Sequence, residues 1–240
     1  MELNVDLYHS IAQRKSSRKY EMQPLAKEII DEMENTIKAF QSLYPTVALE
    51  YRFAKTTKGN FKAEAPHYLI VSGNGKNGEM EAAGFLFEQL VLWLDAKEIG
   101  SVWLGSTRDT DKNNADNDII TLAFGRTMEP VHREKSEFKR KPINEITNAP
   151  DDACIQAVHL APSGMNIQPW YFEKTADKVL VYQRKLKLPV SLVYKLADLD
   201  MGIALCHYAL ACEKNRKPFV FTRKAKMQDK SGYIPFGIIE

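Results

Sequence analysis

The strongest constraint on the fold of this chain is an order of residues that recurs at one fixed offset. Three pairs of chemically similar residues lie 118 positions apart: Tyr20 with Phe138, Pro24 with Pro142, and Gly84 with Gly202. Because one offset links all three pairs, we interpret the chain as two diverged copies of one ancestral unit, residues 1–130 and 131–240. Each copy mixes helices and strands without regular βαβ alternation, which predicts an α+β fold.

The periodicity of apolar residues predicts the individual elements of both copies. Helices are predicted at residues 3–11, 24–40, 79–97, 150–161 and 199–214. Strands are predicted at residues 51–54, 68–72, 101–104, 119–124, 170–173, 178–182, 219–222 and 234–239. Residues 56–66 and 109–118 are predicted to be loops that shape a substrate pocket.

The composition excludes several classes of protein. Hydrophobic residues make up 44% and charged residues 27% of the 240 positions, which is typical of a soluble globular chain. The 33 Lys and Arg nearly balance the 31 Asp and Glu, so nucleic acid is not an expected partner. No apolar run approaches the roughly 18 residues of a membrane span, and the N-terminus lacks the features of a secretory signal.

The cysteines and histidines point to a reduced, metal-free protein. Cys154, Cys206 and Cys212 have no metal-binding spacing and are odd in number, so we expect buried, reduced thiols and a cytoplasmic location. The five histidines do not show the H-x-x-x-H or H-E-x-x-H spacing either. We therefore predict no metal site.

The first candidate binding segment is Arg-Lys-Ser-Ser-Arg at residues 14–18. Guanidinium groups bind phosphate oxygens bidentately, and hydroxyl and backbone N–H groups complete such a shell. On these residues alone, a phosphate site and a solvated basic loop both remain open.

The second candidate segment is Ala-Pro-Ser-Gly-Met-Asn-Ile-Gln-Pro-Trp at residues 161–170. Pro162 and Gly164 indicate a turn whose backbone can approach a ligand closely. Ser163, Asn166 and Gln168 offer neutral donors and acceptors of the kind that a flat heterocycle or a polyol needs. An ordinary connection between a helix and a strand is the alternative.

Together with Gly-Ser-Val-Trp-Leu-Gly at residues 100–105, these segments resemble the nitroreductase family of FMN-dependent oxidoreductases. That family opens with R-x-S-x-R-x-[FY], carries A-P-S-x-x-N-x-Q-P-W after its next long helix, and has a helix that ends in a G-x-x-W-[IL]-G turn. The resemblance implies a nitroreductase-like fold with FMN as the cofactor. It also implies NAD(P)H as the hydride donor and a small acceptor such as a nitroaromatic or a quinone.

The two copies complement each other in these motifs. At the P-S-x-x-N position the first copy has Tyr-Pro-Thr-Val-Ala at residues 44–48. The second copy has His132, Glu134 and Ser136 in place of the R-x-S-x-R side chains and lacks the W-[IL]-G turn. Family subunits are shorter and form homodimers whose two FMN molecules are each contacted by both subunits. We therefore expect a single-chain pseudo-dimer that binds one FMN and is a monomer, with a homodimer as the alternative.

The resemblance also implies roles for individual residues of the first copy. Arg14 and Ser16, with Lys15 between them, would hold the FMN phosphate. Arg18 would lie near the pyrimidine edge of the flavin, where a positive charge stabilises negative charge on the ring.

The remaining roles fall on turns and on the second copy. The backbone N–H groups of Gly105 and Ser106 would approach flavin N5. Arg140 would reach the phosphate, with its neighbours Lys139 and Lys141, or a merely solvated basic run, as the alternatives. The ribityl chain and the ring would be contacted by the second copy's turn: Pro162, Ser163, Gly164 and Asn166. Because the flavin supplies the chemistry, no catalytic side chain is predicted.

Three alternatives remain open from the sequence. Residues 73–78 match the G-x-G-x-x-G pattern of an NAD-binding Rossmann enzyme, although Asp95 lies within a predicted helix and not at the end of a second strand. A degenerate relative that binds flavin without turnover is the second alternative. The third is electrostatic binding through the basic run at residues 214–230.

Overall fold

The computed structural model describes residues 5–59, 63–110, 117–190, 194–223 and 226–240. Within these residues the α-helices are α1 (Leu7–Ile11), α2 (Lys27–Ile37), α3 (Glu79–Ala96), α4 (Ala153–Leu160) and α5 (Ala197–Lys214). The strands of the N-terminal half are β1 (Glu50–Ala54), β2 (Thr57–Gly59), β3 (His67–Ser72), β4 (Gly100–Leu104), β5 (Thr107–Asp109) and β6 (Asp118–Gly125). Those of the C-terminal half are β7 (Trp170–Lys174), β8 (Val179–Arg184), β9 (Phe221–Arg223) and β10 (Tyr233–Ile239). The prediction of an α+β fold is confirmed.

The chain divides into two compact units, Met1–Glu137 and Phe138–Glu240. In the first unit, four strands form an antiparallel sheet in the order β1-β3-β6-β4. Strands β2 and β5 form a separate two-stranded sheet. Strand β3 is buried on both faces, as its continuous apolar run Tyr-Leu-Ile-Val at residues 68–71 requires.

Helix α3 is apolar on nearly all sides and is therefore buried in the core of the first unit. Apart from its polar ends, Glu88 and Gln89 interrupt an otherwise hydrophobic sequence, and both of these side chains are buried and hydrogen-bonded. A helix of this composition is stable only in an interior. It begins after Gly78, whose φ is 97°, and it contacts both α1 and β4.

The second unit has an antiparallel sheet of its own, with strand order β7-β8-β10-β9. Helix α5 connects β8 to β9 and packs against α4. Helix α4 is capped by Asp152, whose Oδ1 accepts hydrogen bonds from the backbone N–H groups of Cys154 (2.9 Å) and Ile155 (3.3 Å). The capped helix leads directly into the segment at residues 161–170.

The predicted elements agree with the structure in type and in order, but the prediction missed the small sheet of β2 and β5. Those strands lie at the edges of the two segments predicted to be loops. Residues 3 and 4 of the first predicted helix, and residues 224–225 of the basic run, lie outside the described residues. Strand β9 is three residues long, shorter than predicted.

Two kinds of feature are absent from the described residues. No α-helix among them combines the length and the apolar composition that a membrane crossing requires. No group of three His, Cys, Asp or Glu side chains that could hold a metal ion occurs in the same ranges.

Candidate functional site

The segment at residues 14–20 is held in an extended form by backbone pairing within the first unit. Ser17 N donates to Ser101 O at the start of β4 (2.9 Å), and Glu21 N donates to Arg126 O after β6 (2.9 Å). Tyr20 closes the segment, since its buried hydroxyl donates to Ser17 O at 2.6 Å. The aromatic position of the R-x-S-x-R-x-[FY] motif therefore acts as an anchor that fixes the backbone before it.

Arg14 is the most unusual side chain of this segment. It is 2% exposed, yet no carboxylate lies within ion-pair distance of it among the described residues. Its Nη2 lies 3.3 Å from Ser16 Oγ, while Nε and Nη1 have no hydrogen-bond partner in the described part of the chain. A buried guanidinium without a counter-charge is destabilising by several kcal/mol, so this arrangement points to an anionic ligand.

The charged groups around Arg14 further favour the binding of an anion. Arg133 Nε donates to the backbone O of Arg14 at 3.0 Å. Burial and the charge of Arg14 lower the pKa of the Arg133 guanidinium to about 10. Asp95 is buried nearby, but its carboxylate accepts from Gln13 Nε2 (3.1 Å) and lies 3.5 Å from His132 Nε2. Asp95 therefore interacts with Arg14 only through space while it accepts a hydrogen bond from Gln13, and the guanidinium groups of Arg14 and Arg133 remain close together.

The other predicted residues of this segment are more open. Lys15 and Ser16 are half-buried, and Arg18 is exposed. The structure brings together Arg14 and Ser16, as the motif predicts, and leaves Arg18 at the surface. Arg133 was missed, although it lies 118 positions after Lys15 and the offset could have identified it.

Gly105 and Ser106 form a half-buried turn between β4 and β5. Next to the turn, the Thr121 hydroxyl donates to Thr107 O at 2.9 Å. Strand β2 packs closely against the turn, since a Cβ added to Gly59 would lie only 2.3 Å from Ser106 O. The small sheet of β2 and β5 therefore fixes the position of this turn.

The glycine-rich loop at residues 73–78 binds a carboxylate of the chain itself. Glu79 is 6% exposed and accepts from Asn74 N (2.8 Å) through Oε1 and from Gly75 N (2.9 Å) through Oε2. In a dinucleotide-binding loop these amides would bind a phosphate. Together with the antiparallel sheet, this contact removes the support for a Rossmann enzyme.

In the second unit, the segment at residues 161–170 folds into a tight turn with unusual backbone angles. Met165, Asn166 and Gln168 all have positive φ, between 47° and 55°. Ser163 Oγ accepts from Gln168 N at 2.9 Å, which closes the turn. Non-glycine residues in this conformation store strain that the surrounding structure must offset, and such positions cluster at functional sites.

Asp200 and Tyr194 hold Gly164 in place. Asp200 is 1% exposed, and its Oδ1 accepts from Gly164 N at 3.1 Å while its Oδ2 accepts from the Tyr194 hydroxyl. A Cβ at Gly164 would lie 2.6 Å from the Tyr194 hydroxyl oxygen. The glycine is therefore explained by its packing against Tyr194, a contact that the sequence pattern did not indicate.

The structure brings together two more of the predicted residues, Arg140 and Asn166. Arg140 Nη1 donates to Asn166 Oδ1 at 3.0 Å, and its Nη2 donates to Leu160 O at 2.9 Å. Asn166 is exposed, Ser163 is half-buried and Pro162 is buried. Gln168, predicted from the sequence as a neutral donor or acceptor, is fully buried, and its Nε2 has no partner in the described ranges.

Comparison with known proteins supplies the family. The chain matches the family model described as Putative TM nitroreductase over residues 6–212. A putative nitroreductase of Thermotoga maritima MSB8 aligns with 100% of this chain and 95% of its own, at 18% identity and a TM-score of 0.69.

Other solved structures align with a part of the chain. A nitroreductase family protein of Clostridium difficile 630 covers 60% of this chain and 96% of its own, at 16% identity and a TM-score of 0.47. An FMN-dependent nitroreductase of Clostridium difficile R20291 covers 54% and 93%, at 15% identity and a TM-score of 0.43. No curated protein sequence matches the chain. The Thermotoga structure shows the fold, and because the family model extends over more than half of the residues, this protein belongs to the nitroreductase family.

Proposed function

We propose that the protein is an FMN-dependent oxidoreductase that passes a hydride from NAD(P)H to a small acceptor such as a nitroaromatic or a quinone. The observation that carries the proposal is the buried guanidinium of Arg14, with two N–H-bearing atoms unpaired among the described residues, inside the R-x-S-x-R motif. When bound, FMN supplies the hydride-transfer chemistry. The side chains of this protein bind and orient it.

The residues of the first unit fit the phosphate end of FMN. A phosphate dianion offers charged oxygen acceptors for Nε and Nη1 of Arg14 and for the Ser16 hydroxyl, and each charge-assisted hydrogen bond contributes about 1.5–3 kcal/mol. Arg133 adds a second positive charge close by. Lys15 and the exposed Arg18 complete the positive surroundings, and we propose that Arg18 faces the flavin ring. The backbone N–H groups of Gly105 and Ser106 are proposed to face N5.

We further propose that the turn in the second unit contacts the ribityl chain and the ring of the same FMN. Its polar groups are the side chains of Ser163 and Asn166, and the unpaired buried Nε2 of Gln168 is a further donor. Pro162 and Gly164 shape the turn. Arg140 is proposed to reach the phosphate, although two of its nitrogen atoms already donate to Asn166 and Leu160 in this structure.

The proposal includes an internal duplication. Its support is that both four-stranded sheets have one topology: the first strand at an edge, then the second, the fourth and the third. In both units a helix of 18 residues joins the second strand of that sheet to the third, and the two helices begin 118 positions apart, at Glu79 and Ala197. This is the offset on which the sequence prediction was based.

The absorbance spectrum of the purified protein, with and without added FMN, tests the cofactor. We expect about one flavin per chain for the wild type and little or none for Arg18→Glu, because a carboxylate at this position repels the phosphate and the electron-rich ring. A wild-type chain that neither carries nor binds FMN would overturn the proposal, and equal occupancy in both proteins would reject the assignment of Arg18.

Turnover tests the activity separately. We expect the flavin-loaded protein to oxidise NADH or NADPH when a nitroaromatic or a quinone is present. Flavin binding without oxidation of either nucleotide, with a panel of both acceptor classes, would favour the alternative of a binding protein without turnover.

A further inference from the structure

Two cysteines of the second unit face each other in its interior. Cys154 is the second residue of α4, and Cys212 lies near the end of α5. Their Sγ atoms are 3.7 Å apart, both residues are at most 2% exposed, and neither forms a disulfide. A disulfide requires about 2.05 Å between sulfurs, so a movement of about 1.6 Å would join them. The proposed flavin chemistry uses neither thiol.

The two thiols have different surroundings. The hydrogen bond donated by Cys212 holds the pKa of the Cys154 thiol below its usual value, while the same contact and burial raise the pKa of Cys212. Cys154 also lies in the first turn of α4, where the unpaired N–H groups of a helix favour a thiolate. Lys174 and Lys217 also lower the pKa of Cys154, whereas its burial and the carboxylate of Asp152 raise it, and the lowering contributions prevail. Cys154 is therefore the better nucleophile of the pair, and Cys212 the partner that retains its proton.

A cavity borders the chain segments that carry this pair. It has a volume of about 480 Å³ and is lined by residues 148–153, Lys174 and Lys217. Ala153, which precedes Cys154, is exposed in this lining, and Lys217 N donates to Cys212 O at 2.9 Å. The cavity thus borders the residue before Cys154 and a residue hydrogen-bonded to the backbone of Cys212, and its lining includes the charged side chains of Asp151, Asp152, Lys174 and Lys217.

We propose that Cys154 and Cys212 are a site of reversible oxidation that takes hydrogen peroxide as its oxidant. The Cys154 thiolate attacks one peroxide oxygen, the O–O bond breaks, hydroxide leaves, and Cys154 becomes a sulfenic acid. The Cys212 sulfur then attacks the Cys154 sulfur, the S–O bond breaks, and the hydroxyl leaves with the Cys212 proton as water. In total, two thiols and one peroxide give one disulfide and two waters. The site does not depend on the proposed flavin function.

Counting thiols in the folded, full-length protein tests the proposal. The protein is treated with hydrogen peroxide, the peroxide is removed, and the free thiols are alkylated after denaturation. We expect the wild type to fall from three alkylated cysteines to one, with an intact mass lower by about 2 Da for two lost hydrogens. Dithiothreitol should restore all three. A wild type that keeps three thiols, or that gains oxygen at a single cysteine without a cross-link, would overturn the proposal.

Cys206 provides the matched control, because it is a third buried cysteine on the same helix as Cys212. We expect Cys206→Ser to lose both of its remaining thiols and about 2 Da on oxidation, and Cys154→Ser to keep both of its thiols. In Cys212→Ser, which retains the attacking thiol but lacks the second one, we expect Cys154 to gain oxygen without forming a cross-link. If a serine variant fails to fold, mapping of the cross-linked peptides in the wild type decides the question. A peptide that joins Cys206 to either partner would contradict the assignment.

Discussion

Arg14 and Arg52 are both arginines of the first unit with low exposure, but their surroundings differ in one respect. Arg52 donates to the Asp118 carboxylate at 2.8 Å and to Asp109 at 3.2 Å, so its charge is neutralised within the fold and ties β1 to β5 and β6. Arg14 has no such partner among the described residues. The charge of Arg52 is compensated by two acids, whereas the buried charge of Arg14 is uncompensated at hydrogen-bonding distance and is destabilising unless an anion binds to it.

This difference predicts an unusual effect for Arg14→Met. Methionine has a similar length without the charge, so the flavin-free protein should keep its stability or gain about 1–3 kcal/mol in free energy of unfolding. FMN affinity should fall at least about 100-fold, because two or more charge-assisted hydrogen bonds are lost. Chemical denaturation of the flavin-free protein and FMN titration measure the two effects.

Arg126→Met is the matched control, since Arg126 is exposed and lies after β6 in the same unit. It should leave both the stability and the affinity nearly unchanged. If Arg14→Met unfolds the flavin-free protein, the guanidinium has a structural role and the interpretation of Arg14 as a ligand-binding residue is wrong.

Element by element, the sequence predicted what depends on local pattern and missed what depends on distant contacts. Helices α3 and α5 were predicted within two residues at each end, because long apolar segments bounded by polar residues determine them. Strands β2 and β5 have three residues each and little apolar character, so only their pairing across about 50 positions makes them strands. The motifs are local patterns, so the sequence could indicate the candidate site residues. The contacts of Arg133 and Asp200 depend on distant parts of the chain and were not predicted.

Helix α4 depends on its cap, so Asp152→Ala should destabilise the protein by about 1–2 kcal/mol. Burial alone would raise the pKa of the Asp152 carboxyl, but the hydrogen bond from Lys174 and those from the amides of α4 hold it below its usual value. A lowered folded-state pKa means that the contribution is complete above the unfolded pKa of about 3.9 and is lost as the pH falls through the folded pKa. The difference in unfolding free energy should therefore be largest above about pH 5 and should shrink in acid.

The neighbouring exposed residue Asp151 provides the control for this prediction. Asp151→Ala should change the free energy of unfolding by less than about 0.5 kcal/mol, both above about pH 5 and in acid. Asp152→Asn should retain most of the cap while losing the ion pair with Lys174. If Asp151→Ala and Asp152→Ala change the free energy of unfolding equally, negative charge near the start of the helix matters and the hydrogen bonds of the cap do not.

The small sheet can be tested through Gly59. An added methyl group would meet the backbone O of Ser106 at 2.3 Å, so Gly59→Ala must displace the turn at Gly105 and Ser106. We expect a loss of about 1–3 kcal/mol in stability, measured by denaturation, together with weaker FMN binding. Lys58→Ala, at the adjacent exposed position of β2, should leave both unchanged. If Gly59→Ala lowers the stability but leaves the FMN affinity unchanged, Gly105 and Ser106 are not part of the FMN site.

On the scale of the whole molecule, the chain contains two units of one sheet topology with different sets of functional side chains. The first has the buried Arg14, whose Nε and Nη1 have no partner among the described residues, and the second has the strained turn at residues 163–168. If the units arose by duplication, each has kept the residues that the other lacks. The proposal of one FMN per chain then makes a prediction about how defects in the two units combine.

Mixing of defective chains tests that prediction. Arg14→Met removes the proposed phosphate ligand of the first unit, and Ser163→Tyr places a ring in the proposed ribityl contact of the second. If one chain supplies both sets of residues to its FMN, a mixture of the two variants that is unfolded and refolded together binds no more flavin than either variant alone. If two chains share their sites, as in a homodimer, some sites in the mixture combine two intact units, and about a quarter of the wild-type binding should return by random pairing. Co-refolded wild type serves as the reference, and sedimentation of each sample shows whether chains associate. Recovery of binding in the mixture would therefore contradict the single-chain site while leaving FMN as the cofactor.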